Sequence, residues 1–152
     1  MAIVDPGPGS SAGSFGEVFS AVGQAVEAGV GTAALAQAQQ AAQGLKDAAS
    51  SGQIRITENG FTTLMDAINQ CYTHLADLRK ATFTVKQAPQ LGTSPYAQTV
   101  AVHVQKGGTG EPQSADTVVN QLSEVLDITR DALNQARKNY AEAEHANVQG
   151  LK

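Results

Sequence analysis

The chain has no tryptophan, one cysteine and few aromatic side chains, with three tyrosines and four phenylalanines in 152 residues. A single cysteine, Cys71, excludes an internal disulfide and leaves the redox compartment open. On a helix, it reads as a small buried apolar residue. Basic residues are also scarce. Ten Lys and Arg against fourteen Asp and Glu give a formal charge of -4, so no electropositive field draws a phosphate backbone and nucleic acid is not an expected partner. No apolar run approaches the ~20 residues that span a bilayer. The opening MAIVDPGPGSSAGS lacks both a positive n-region and an apolar h-region, so no Sec-type signal peptide is expected there.

What apolar content the sequence holds comes mainly from Ala, Val and Leu. These small, straight side chains point to helices in close contact rather than to a sheet. The length fits one domain able to bury its own core. Residues 1–14, with Pro6, Pro8, Gly7, Gly9, Gly13 and several serines, read as a disordered lead, and residues 15–152 as a single helical domain.

Within that domain the apolar spacing marks four helical stretches. From Phe15 to Ser50, Phe15, Phe19, Val22, Val26 and Val30 recur three or four apart. Glycines weaken this stretch, and a break is expected near Gly29 to Gly31. The alanines that follow offer a face for close packing. The alternative is a segment ordered only against a partner. Gly29-Val-Gly31-Thr-Ala-Ala34 also fits the loose dinucleotide fingerprint, but helical residues precede it where a strand is required.

After a break at SGQIRITENG, in which Ile54 and Ile56 alternate around Arg55 and Thr57 is placed to cap, a helix is expected over 58–86. Its face is Phe61, Leu64, Ile68, Cys71, Leu75, Leu78, Thr82 and Val85, widened by Met65 and Tyr72. Ser94-Pro95 resembles a cap followed by proline at the first helical position, so a short helix is expected over 95–106. The alternation of Val100, Val102 and Val104 keeps a strand as the competitor. Gly107 and Gly108 stop this element, and Ser114 can cap a last helix over 114–148. There Val119, Leu122, Leu126, Thr129, Leu133, Ala136, Tyr140 and Ala143 alternate by three and four, the seam of one helix packed on another. The fold expected is therefore all-α: a helical hairpin or a three- to four-helix bundle built on a long antiparallel pair, with the N-terminal helix or a second chain covering the remaining stripe.

Catalytic and metal patterns are missing. His74, His103 and His145 fall on three separate elements with no second ligand at metal spacing. No serine or threonine sits in a glycine-flanked elbow. Asp127 and Asp131, with Arg130 between them, read as a solvated, charge-mixed face. No enzyme activity, cofactor, metal or small-molecule substrate is expected.

One short pattern stands out. Of the three tyrosines, Tyr72 has Ala76 and Tyr96 has Val100 four residues on, whereas Tyr140 has Glu144, one helical turn away on the same side. In the stretch ARKNYAEAEHA this Tyr-x-x-x-Glu resembles the YxxxD/E export signal of substrates of the type VII (ESX) secretion systems of actinobacteria. Together with SGQIRITENGF and PQLGTSPYAQTVAVHV, the chain from Ser51 to about Val148 is similar to EspC-like helical proteins related to the WXG family, without that family's Trp-x-Gly turn.

The resemblance implies a non-enzymatic protein, cytoplasmic before export and then secreted or held at the cell envelope by a non-Sec route. It also implies export in the folded state as a homodimer or as a heterodimer with another helical protein, with Tyr140 and Glu144 read by the secretion ATPase or a chaperone. Two alternatives stay open. One is a cytosolic helical adaptor, chaperone or immunity-type partner that uses the Phe61 to Val85 seam. The other is membrane association through Phe15 to Val30, against which the shortage of Lys and Arg there argues.

Overall fold

The computed structural model describes Ser20 and residues 32–150. The expectations placed on the 1–14 lead, on Phe15 to Val30 and on Gly29 to Gly31 lie outside those residues, except for Ser20, which is helical. Among the described residues the fold is all-α, with helices α1 (Thr32–Ser50), α2 (Glu58–Val85), α3 (Pro95–Gly108) and α4 (Ala115–Gly150). None is long and apolar enough to cross a membrane.

The helix starts follow from local chemistry. Thr57 is extended, with φ -66° and ψ 158°, and its hydroxyl accepts the Gly60 N–H at 3.2 Å. Ser94 does the same for Ala97 at 3.1 Å, with Pro95 in the first turn where no N–H is needed. That cap decides the 95–108 segment for helix over strand. Ser114, fully buried, receives the Thr117 N–H at the head of α4. Between α1 and α2 the chain turns through Gly52, whose φ of 77° suits glycine.

Helix α4 is the spine. At ~1.5 Å per residue its 36 residues reach about 54 Å. Helix α1 lies parallel to it, because Gln39 meets Glu124 and Lys46 meets Asp131 at the same sequence offset. Helix α2 is antiparallel: Glu58 pairs with Arg137, Tyr72 with Asp127 and Lys86 with Asp116.

The α1 contact is made by Leu35, Ala38, Ala42, Leu45 and Ala49, spaced three and four apart and all buried. Opposite stand Val125, Ala132, Leu133 and Ala136 of α4. Alanine on both sides lets the two backbones come close. Ile68 of α2 completes this cluster, and Leu75 joins Leu35, Val119, Leu122 and Leu126 in the adjoining one. Thr129 and Thr82, buried at seam positions, satisfy their hydroxyls on the Val125 and Leu78 carbonyls of their own helices.

Three seam expectations need correction. Leu78 and Val85 are 49% and 43% exposed, not packed: the two buried clusters reach no further along α2 than Leu75. Cys71 is half-buried at the edge of its cluster rather than enclosed.

Tyr72 pins α2 to α4. Its hydroxyl donates to Asp127 at 2.5 Å, and Arg130 both pairs with that carboxylate at 3.3 Å and sits over the phenol ring. Burial, reinforced by the hydrogen bond to Asp127 and its negative charge, pushes the Tyr72 phenol up from 10.0 to about 12. The neutral form is thus favoured by folding. Its stabilisation is fully present below the unfolded value of 10.0 and is lost as pH rises through the folded value of about 12.

Gly107 and Gly108 do not stop α3 at residue 106 but form its last two residues, with Thr109 as the cap. A Cβ at Gly108 would lie 2.7 Å from the Val85 carbonyl carbon and oxygen, so the end of α3 rests directly on the α2 backbone.

Two outcomes test this packing. Gly108→Ala should lower unfolding free energy by roughly 1–3 kcal/mol in urea titration, because backbone must shift to admit the methyl. Tyr72→Phe should cost about 1 kcal/mol at neutral pH for a hydrogen bond at the half-exposed rim. The gap between wild type and Tyr72→Phe should close between pH 10 and 12 as the wild-type phenol ionises.

Candidate functional site

The described residues offer little for chemistry. His74, His103 and His145 are exposed on α2, α3 and α4, and no three His, Cys, Asp or Glu side chains converge to hold a metal. A groove of about 410 Å³ runs between the end of α3 and the start of α4, past His103, Lys106, Glu111 and Ser114. Its mixed charges and open shape assemble no nucleophile and base. The raised Tyr72 phenol belongs to the interhelical pin. Asp127 and Asp131 both have structural partners, Tyr72 with Arg130 for the first and Lys46 for the second.

The seam residues sit as their spacing implies, apart from Leu78, Val85 and the half-buried Cys71. Ile68, Leu75, Val119, Leu122, Leu126 and Leu133 are buried. Phe61 and Leu64 are half-buried against the same core. This stripe occupies the inside of the bundle, so it is not a free surface.

The far end of α4 differs. Tyr140 is half-buried, Ala143 is half-buried, and every residue from Glu144 to Gly150 is exposed while remaining helical. Tyr140 and Glu144 are one turn apart, and among the described residues neither makes a side-chain hydrogen bond or ion pair. The geometry is a phenol partly seated on the bundle and a free carboxylate beyond it, on a rod that has left its neighbours.

What fixes the point of departure is the α1–α2 connection. Ile54 is buried and Ile56 half-buried in the main core, and the Ile56 N–H donates to the Ala136 carbonyl at 3.3 Å. Asn139 closes the strap. Its side-chain amide donates to the Ala49 carbonyl at 2.7 Å and to the Ile54 carbonyl at 2.9 Å, and its Oδ1 accepts from Gln135 at 3.0 Å. Beside it Arg137 pairs with Glu58 at 2.7 Å and lies 4.7 Å over the Phe61 ring. Five contacts from three segments therefore end within one turn before Tyr140.

Asn139 and Arg137 were not legible as site residues. Both occupy ordinary polar positions on an amphipathic helix, and their partners are backbone carbonyls or side chains about 80 to 90 positions earlier. The SGQIRITENG break was the one available signal, since two isoleucines in a short polar connection must be buried against something. Comparison with models of protein families, with curated proteins and with solved structures finds no match to this chain.

Proposed function

We propose that this is a non-enzymatic helical protein that acts through protein–protein contact and is exported by a type VII secretion system through its Tyr140–Glu144 signal. The observation that carries the reading is the terminal overhang: α4 stays helical to Gly150 while its side chains from Glu144 onward face solvent. A receptor groove would take the exposed edge of the Tyr140 ring as an apolar anchor and the Glu144 carboxylate as a polar reader, the helix-in-groove mode. The secretion ATPase or a dedicated chaperone is the proposed reader. A second copy or another helical protein is the proposed companion in transit, and the secreted fraction or the cell envelope the destination.

The adaptor reading is kept because of one specific observation. Leu78, Phe83 and Val85 are 49%, 66% and 43% exposed near the end of α2, and apolar side chains there would suit a partner helix. The rest of the Phe61 to Val85 seam is occupied by α4 and α1, which confines that alternative to the last two turns.

Export of Tyr140→Ala and Glu144→Gln from an actinobacterial host carrying a type VII system separates the two. Each is expected to lower the amount in the culture medium at least tenfold, with removal of the secretion ATPase having the same effect. Glu144→Gln, at an exposed site, should leave the melting curve within about 0.5 kcal/mol of wild type. Wild-type export of both variants would overturn the reading, and retention of the wild-type chain in cells with an active system would favour the adaptor.

A further inference from the structure

A planar amide has two N–H groups, and Asn139 spends them on different elements: the Ala49 carbonyl in the last turn of α1 and the Ile54 carbonyl in the α1–α2 connection. Its oxygen is held in turn by Gln135. The group is thus fully engaged and ties three parts of the chain at one level. It is also the last residue of α4 whose side chain is bonded to another described element, since Tyr140 to Gly150 make no such contact.

A helix end without tertiary partners frays, and fraying starts from the last anchored turn. The position of that anchor decides whether Tyr140 and Glu144 share one helical face or drift apart.

We propose that Asn139 is a positioning residue for the Tyr140–Glu144 pair, a latch by which the closed α1–α2 connection keeps the adjacent turn of α4 helical; this rests on the export reading above. Recognition is then coupled to folding. In a chain whose connection has not closed on α4, Asn139 loses both acceptors and the pair is no longer held in register, although neither recognition residue has changed.

Asn139→Asp tests the latch with almost no change of shape. It replaces the donor nitrogen by a carboxylate oxygen facing two carbonyl oxygens. In the full-length protein, amide hydrogen exchange at Tyr140 to Glu144 should quicken roughly five- to tenfold, the net worth of about one hydrogen bond, with a smaller change at Leu122 to Thr129. Unchanged exchange at Tyr140 to Glu144 would overturn the proposal.

Export of Asn139→Asp should fall at least fivefold. It should recover when Asn147→Ala and Gly150→Ala are added, because both raise helix propensity in the overhang and a methyl at Gly150 meets nothing within 4 Å. A purely structural defect in the bundle would not be rescued from beyond its end. If Asn139→Asp quickens exchange yet exports like wild type while Tyr140→Ala does not, the positioning role is wrong and the signal reading stands. If Tyr140→Ala itself exports normally, the signal reading fails and the positioning role fails with it. Asn139→Ser, which keeps one donor, takes the place of the aspartate variant if that chain does not fold, with the same outcomes at reduced size.

Discussion

The parallel contact between α1 and α4 is the constraint on which the rest depends. Leu35, Ala38, Ala42, Leu45 and Ala49 line one face with three alanines among two leucines, and Ala132 and Ala136 answer them from α4. Methyl against methyl allows close approach with little loss of side-chain entropy, which suits a chain so poor in large aromatics. Because the two helices run the same way, the chain must travel back between them. Helix α2 makes that return and buries Ile68 and Leu75 on the way.

From this geometry follows the placement of the candidate site. The carboxyl end of α1, the connection and the amino end of α2 all meet α4 at one level, between Ala136 and Asn139. Helix α4 outruns that level by several turns, and Tyr140 and Glu144 straddle the boundary between packed and solvated helix. An aromatic suits that boundary because it has an apolar body and a polar tip, and Tyr140 is half-buried there. The acid one turn later carries no burial cost. The surface charges that pair nearby, Arg137 with Glu58 and Lys46 with Asp131, fix orientation more than they add stability, as is usual for half-exposed ion pairs.

Much of the fold was legible in the sequence because the signals were periodic. The Phe61 to Leu75 and Val119 to Leu133 stripes require partners at helical spacing, and Thr57, Ser94 and Ser114 announce starts through hydroxyls that accept backbone N–H groups. Leu78 was misread because spacing reports a face but not how far the covering helix extends along it. The role of Gly108 was hidden because a glycine after a helical run reads first as a stop, while its closeness to the Val85 backbone is a tertiary fact. Asn139 was hidden for a similar reason: an amide on a polar flank carries no mark of which carbonyls it will meet. The Tyr-x-x-x-Glu spacing was readable, whereas its standing at the edge of the packed region depended on where the connection closes.

The parallel pairing of first and last described helices also bears on synthesis. As the chain leaves the ribosome, α1 and α2 emerge with their alanine and leucine faces unmatched, and the helix that covers both arrives last. Contacts spanning more than eighty residues must form before the α1 face is hidden. A chain released before α4 is made would therefore display sticky helices to the cell's quality-control machinery, so that emergence of α4 and completion of the core become a single event.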